Sequence, residues 1–137
     1  MTGPSPHLAW SELGCRDGTP YPAVWRESRA VALAAMFEAI RERVGKPLRI
    51  LSAYRTPEHN RRVGGARHSQ HVEGRALDLK PPKGWTVDRL ARVAAEVPSV
   101  KGLGVYQTFV HVDCRPSPRR VTWRGGRRDA DRVEAGK

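Results

Sequence analysis

One long amphipathic stretch, residues 24–44, constrains the fold more than any other part of the sequence. Its apolar side chains recur at intervals of four, three and four residues, so they share one face of a helix. These side chains are Leu33, Phe37, Ile40 and Val44. Gly45 and Pro47 follow and end the helix, because glycine adopts the left-handed cap and proline cannot continue a helix. The chain must therefore pack one long helix against a second layer.

That second layer is predicted to be a small sheet. Short strand-like runs occur at 48–53, 75–79, 101–106, 109–113 and 121–123. Two shorter helices are predicted at 57–63, after Thr56, and at 87–97, where Thr86 can cap the first turn. Because helices and strands do not alternate regularly, we predict the α+β class, with a small, largely antiparallel sheet and packed helices.

Length and composition indicate one domain. The chain has 137 residues, and we assign residues 1–124 to the domain and the charged residues 125–137 to a frayed tail. Residues 1–20 are read as an ordered or half-ordered arm. No apolar run is long enough for a membrane span, and MTGPSPHLAW lacks the basic and apolar regions of a signal peptide. We expect a monomer that is made in the cytoplasm.

The charge indicates an anionic partner. Lys and Arg number 25 against 14 Asp and Glu, a formal net charge of +11. Nucleic acid and an anionic cell wall or membrane surface are the candidate partners, and a merely solvated basic surface is the plain alternative. The two cysteines, Cys15 and Cys114, form no C-x-x-C motif, so they are two free thiols or one disulfide.

A metal site is one interpretation of SQHVEGRALD, residues 69–78. Gly74 lets the chain turn after His71 into the strand that carries Asp78. Side chains alternate along a strand, so His111 and Asp113 share one face of FVHVDCR. Neighbouring strands would then present Asp78 and His111 side by side, with His71 arriving from the turn.

Two histidines and one carboxylate are the ligand set of a catalytic zinc site, in which a fourth position stays open. The spacing by itself leaves a second interpretation. In that interpretation His71 is a capping or core histidine and Asp78 is a carboxylate in a turn.

Three ordered blocks resemble a known family. The first is SAYRTPEHNRRVGGARHSQH, the second is the S-x-H-x-x-G-x-A-x-D pattern ending at Asp78, and the third is GLGVYQTFVHVDCR with Trp123 beyond it. They resemble the zinc D-Ala-D-Ala carboxypeptidases and related peptidoglycan peptidases, from about Ser11 to Trp123. The resemblance implies the hedgehog/DD-peptidase α+β fold.

The resemblance also implies roles for single residues. It places Zn²⁺ on His71, Asp78 and His111. It implies that Arg55 holds a carboxylate of the substrate, which suits a guanidinium group, although Arg55 could instead pair with a nearby acidic residue. Two further residues, Ser69 and Tyr106, are assigned to the substrate-binding region, where Ser69 orders the loop that carries His71.

The general base is where this chain departs from the family pattern. Many members have an acidic residue three positions before the last histidine ligand, and here that position is Thr108. We predict Asp113 as the acid–base group or as the residue that orients the reacting water. The alternative is a carboxylate bonded to a ligand histidine or to an arginine. Glu73 and His68 lie close enough in sequence to substitute.

The implied activity is zinc-dependent hydrolysis of an amide bond in the peptide stem or cross-link of bacterial peptidoglycan. A carboxypeptidase and an endopeptidase both fit, and action at the wall would follow lysis, export or delivery on a phage particle, as for a phage lysin or tail enzyme. A non-catalytic zinc module that binds wall or protein is the first alternative. A basic nucleic-acid-binding domain is the second, although no nucleic-acid-binding motif is visible and we expect neither nucleic acid nor membrane insertion.

Overall fold

The computed structural model describes residues 2–125. The predicted tail therefore lies outside the described residues, apart from Gly125. The helices are α1 (Trp10–Leu13), α2 (Arg29–Val44), α3 (Pro57–Arg62) and α4 (Val87–Ala94). The strands are β1 (Arg49–Ser52), β2 (Ala76–Lys80), β3 (Gly102–Val105), β4 (Val110–Asp113) and β5 (Val121–Arg124).

The five strands form one sheet in the order β1-β2-β4-β3-β5. The first three pairings are antiparallel, and β5 runs parallel to β3. The predicted α+β class with a largely antiparallel sheet is confirmed. The parallel edge arises because the chain crosses from β4 past β3 before it adds the last strand.

The long helix begins five residues later than predicted. Residues Ala23–Trp25 form a separate 3₁₀ turn, and Ser28 interrupts the path with φ −130° and ψ −87° before α2 starts at Arg29. The ring of Trp25 packs edge-on against Tyr21 and Tyr54, at centroid distances of 6.1 and 6.0 Å. Aromatic packing therefore determines the path of residues 21–25, and helix propensity does not. At its other end α2 closes as predicted, with Gly45 at φ 75°.

The core combines α2 with one face of the sheet. The helix contributes its predicted apolar stripe, and the strands contribute alternate side chains, all of them buried. The strand residues in this cluster include Leu77, Leu79, Val110 and Val112. Because side chains alternate along a strand, the intervening residues of β2 and β4 project from the opposite face. Asp78, His111 and Asp113 lie on that opposite face.

The N-terminal arm is ordered and joins the sheet edge beside β1. It contains the short helix α1, whose Leu13 is buried, and four residues are too few to give a helical pattern in the sequence. The backbone N–H of Tyr54 donates to the carbonyl of Leu13 at 3.1 Å. Arg16 donates to the carbonyls of Ile50 and Leu51. Among residues 2–125, no helix combines the length and apolar character that crossing a membrane requires.

Candidate metal centre and cleft

Strand pairing brings Asp78 and His111 together. They are direct partners in the register between β2 and β4. His71 comes from the turn before β2, and its Nε2 lies 3.1 Å from Asp78 Oδ1. His111 Nδ1 lies 3.3 Å from the same oxygen. All three side chains are buried, and one ligand atom from each lies within 4.8 Å of the other two, as a shared metal ion requires.

Local contacts orient His71. Its backbone N–H donates to Ser69 Oγ at 3.1 Å, and its ring Nδ1 lies 2.6 Å from the carbonyl oxygen of Ala53. A carbonyl oxygen can only accept, so Nδ1 carries the ring proton and Nε2 presents a lone pair to Asp78. The turn itself requires Gly74, at φ 70°, because an added Cβ would meet the ring of Trp25 at 2.7 Å.

His111 is oriented in the same way from the opposite side. Its Nε2 lies 2.7 Å from Asp113 Oδ2, and an ionised carboxylate can only accept. The Nε2 proton therefore points to Asp113, and Nδ1 presents its lone pair to Asp78. Two imidazole lone pairs and one carboxylate oxygen thus converge on one point. Acceptors that face one another need a proton or a metal cation between them, and this donor set fits Zn²⁺.

The electrostatics of the centre keep its carboxylate ionised. Burial would raise the pKa of Asp78, but the charges and hydrogen bonds of His71 and His111 outweigh burial and hold that pKa below its usual range. Burial lowers the pKa of His71 against the opposing charge of Asp78. Burial would also lower the pKa of His111, but in the protonated ring the hydrogen bonds to Asp113 and Asp78 outweigh burial and raise that pKa. Asp78 is therefore ionised, and a proton or a metal cation between its carboxylate and the two imidazole rings would balance its charge.

Asp113 lies behind His111, and its side chain is inaccessible to solvent, with 0% exposure. Besides His111, its carboxylate accepts from Arg115 Nε and Nη2, each at 2.8 Å, and from the Arg115 backbone N–H at 3.1 Å. The sequence interpretation did not identify Arg115 as part of the site. The sequence carried no periodic signal for it, because β4 ends at Asp113 and Arg115 lies beyond the strand.

The three candidate ligands, His71, Asp78 and His111, are called the metal cluster and form part of the wall of an open cleft. The other residues lining it include Arg55, Gly65, Ala66, Ser69, Tyr106 and Phe109. Arg55 donates to Ser52 Oγ, Asn60 Oδ1 and Asp78 Oδ2, at 3.2, 3.1 and 3.4 Å. The cleft therefore combines a guanidinium group with the three converging acceptors.

Aromatic rings form another part of the cleft. Tyr106 and Phe109 stack with centroids 4.6 Å apart and an interplanar angle of 8°. Trp123 Nε1 donates to the Tyr106 hydroxyl at 2.6 Å, and the Trp123 ring lies 5.2 Å from that of His111. The structure thus places Tyr106 in the cleft and brings β5 next to the metal cluster.

Other candidates from the sequence lie elsewhere. Thr108 is exposed in the turn between β3 and β4. Glu73 is exposed and pairs with Arg29 at 3.2 Å, and His68 is exposed. The cysteines are both free; the thiol of Cys114 contacts the carbonyl of Arg75 at 3.6 Å. The alternative of a Cys15–Cys114 disulfide is therefore not realised in this structure.

Comparison with known proteins agrees with this geometry. A search of curated proteins found no match. A family model described as Peptidase M15 matches residues 6–113, which is most of the chain and includes all three candidate ligands. The chain therefore belongs to the Peptidase M15 family of zinc-dependent metallopeptidases.

Proposed function

We propose that this chain hydrolyses an amide bond in the peptide stem or cross-link of bacterial peptidoglycan, with Zn²⁺ held by His71, Asp78 and His111. One observation carries the proposal: three acceptor atoms converge in the wall of an open cleft that also presents Arg55. Zinc in such a site supplies a Lewis acid that polarises a carbonyl and promotes attack by water. Side chains of the protein would align the substrate and position the metal ligands.

Arg55 would fix the register of the peptide by binding one of its carboxylates. Its contacts with Ser52, Asn60 and Asp78 occupy three N–H groups and hold the guanidinium group in place. Arginine has five N–H donors in a planar fork, so two can still bind a carboxylate. A held guanidinium group loses little freedom on binding, which favours a precise alignment of substrate.

Asp113 acts, in this proposal, through His111. A general base needs a lone pair within reach of the reacting water. The described contacts of both Asp113 oxygens are instead with His111 and Arg115. We therefore favour the alternative left open by the sequence, in which Asp113 is a positioning residue that fixes the ring orientation and tautomer of His111.

The charge of the chain supports a wall substrate. Peptidoglycan and its attached polymers are anionic, and a net charge of +11 would concentrate the protein at such a surface. Phe109, whose ring stacks on the buried Tyr106, offers an apolar surface to the substrate chain inside the cleft. Delivery after lysis, by export or on a phage particle is consistent with this substrate.

A second function, binding without cleavage, is favoured by one observation. Among residues 2–125, the cleft lining contains no carboxylate besides Asp78 and no histidine besides the two candidate ligands. A zinc-holding module that binds wall or a protein partner would need no base. The two functions differ in whether an amide bond of the bound substrate is cleaved.

Product analysis separates the possibilities. Purified cell walls are incubated with the zinc-loaded chain, and the soluble products are identified by mass spectrometry. Free D-alanine indicates a carboxypeptidase, and conversion of cross-linked dimers to monomers indicates an endopeptidase. Zinc-dependent binding to walls with no released product would contradict the peptidase proposal and support the binding module. The His71→Ala variant is the control for both signals.

A further inference from the structure

A second group of metal-ligand side chains lies outside the cleft. It consists of Cys15, Asp17 and His59, each of which offers one ligand atom within 4.8 Å of the other two. Cys15 is buried, His59 is half-buried and Asp17 is exposed. The first two ligands come from the N-terminal arm after α1, and the third comes from the first turn of α3. The cluster therefore joins two segments 44 residues apart in sequence.

The arm holds its two residues in a closed turn. The Cys15 N–H donates to the carbonyl of Thr19 at 2.7 Å, and the Gly18 N–H donates to the carbonyl of Cys15 at 3.0 Å. Gly18 adopts φ 100°, which the turn requires and other residues resist. The Thr19 N–H donates to Asp17 Oδ1 at 2.9 Å. Cys15 and Asp17 are thus held on one side of a defined loop.

The helix side is fixed by its cap. Thr56 Oγ1 accepts from the His59 N–H at 3.1 Å and donates to Asp17 Oδ2 at 3.1 Å. The cap residue of α3 therefore binds the arm directly. On the His59 ring, Nδ1 is buried and has no hydrogen-bond partner within the described part of the chain. Buried polar atoms are nearly always satisfied, so this unpartnered nitrogen supports a bound ligand at His59.

We propose that Cys15, Asp17 and His59 bind a second divalent transition-metal ion, zinc by preference, which fastens the N-terminal arm to α3. Thiolate, imidazole and carboxylate together form a donor set that zinc accepts. Ligand atoms on one tetrahedral zinc lie about 3–4 Å apart, so small side-chain movements would complete the site. Binding releases the Cys15 thiol proton to solvent. The exposure of Asp17 gives the ion an entry path.

This site is distinct from the cleft and does not depend on the proposed peptidase activity. It differs from the cleft cluster in one chemical respect, because only the second site contains sulfur. The ligand set of the cleft is two nitrogens and one oxygen. A probe that reports metal–sulfur bonding therefore observes the second site alone.

Cobalt(II) is such a probe. The full chain is kept reduced, stripped of metal with a chelator and titrated with Co²⁺. We expect two ions per chain and a thiolate-to-cobalt charge-transfer band in the near ultraviolet. Cys15→Ser should abolish the band and bind one ion, and His59→Gln should weaken or abolish it. Cys114→Ser, the matched control, should keep both the band and two ions.

His71→Ala separates this inference from the proposed function. It should lose one ion and keep the charge-transfer band. The inference is overturned if wild-type protein shows no band, a result that does not depend on any variant folding. It is also overturned if the band survives in Cys15→Ser or disappears in Cys114→Ser.

Discussion

His111 Nε2 lies 2.7 Å from Asp113 Oδ2, on the far side of the imidazole from the nitrogen that faces Asp78. His111 therefore lies between two carboxylates: Asp78, which belongs to the metal cluster, and Asp113, the rear carboxylate. Arg115 binds both oxygens of the rear carboxylate and holds it in place. This arrangement determines which His111 nitrogen is available to a metal.

Asp113→Asn tests whether the rear carboxylate, Asp113, positions the His111 ring or acts as a general base on the reacting water. The substitution keeps the shape of the side chain and removes its charge. If Asp113 positions His111, zinc affinity should fall by about 10–100-fold, with kcat at saturating zinc little changed. A zinc-binding titration and steady-state rates of wall hydrolysis measure the two quantities.

The opposite pattern would contradict the positioning role. A general base contributes about 10²–10⁴-fold to the rate, so kcat would fall by that factor while zinc affinity stayed the same. Asp88→Asn is the control, because Asp88 pairs with Arg124 at the surface, outside the cleft.

Arg55→Lys tests carboxylate recognition. Lysine keeps the charge but loses the planar fork that binds a carboxylate through two bonds. For a stem peptide with a free terminal carboxylate, KM should rise by roughly tenfold or more, since a charged hydrogen bond is worth about 1.5–3 kcal/mol. For the same peptide with an amidated terminus, wild type and variant should behave alike.

Arg62→Lys is the control, because Arg62 is an exposed residue of α3. Equal losses on the free and amidated peptides, together with weaker zinc binding, would contradict carboxylate recognition. They would show that Arg55 acts by holding the metal ligand Asp78 in place, since Arg55 Nη2 lies 3.4 Å from Asp78 Oδ2.

Gly102→Ala tests the packing behind the metal cluster. Gly102 pairs with Asp113 across β3 and β4, and an added Cβ would overlap the Asp113 carboxylate. We expect a loss of about 1–3 kcal/mol in the free energy of unfolding, together with weaker zinc binding through His111. Urea denaturation and zinc titration measure these effects, and an unchanged zinc affinity would show that the carboxylate does not act on His111.

Acid titration tests the charge state of the rear carboxylate. Burial would raise the pKa of Asp113, but Arg115 and His111 outweigh it and hold the pKa below its usual value. A depressed pKa stabilises the fold above the unfolded value of about 4, and this stabilisation is lost as pH falls. The unfolding free energy of metal-free protein should therefore decrease between about pH 5 and pH 2, less steeply in Asp113→Asn. Equal slopes would contradict this assignment.

The sheet and the approach of Asp78 to His111 were predictable because both depend on local periodicity, whereas the ligand set itself was implied by the family resemblance. Alternation along 109–113 put His111 on the face opposite the core valines, and Gly74 marked the turn that delivers His71. The start of α2 was not predictable, because Trp25 packs with aromatic residues that precede and follow the helix. Tertiary packing of this kind leaves no periodic signal.

Two features of the functional residues could not be predicted from the sequence and were seen only in the structure. The choice between the two roles of Asp113 depends on which imidazole nitrogen it faces, and sequence spacing carries no information on ring orientation. The approach of Cys15 and Asp17 to His59 arises from the docking of the arm on β1 and α3. Contacts across 44 residues of chain, without a motif that links them, are not visible in one sequence.

Zinc-dependent recovery of hydrolysis tests the central claim most directly. Chelated wild-type protein and chelated His111→Ala are each titrated with Zn²⁺, and the release of soluble products from purified cell walls is measured at every step. If His71, Asp78 and His111 hold the catalytic metal, wild type recovers hydrolysis and His111→Ala does not. Equal recovery in the variant, or hydrolysis by wild type that persists without metal, would contradict the claim.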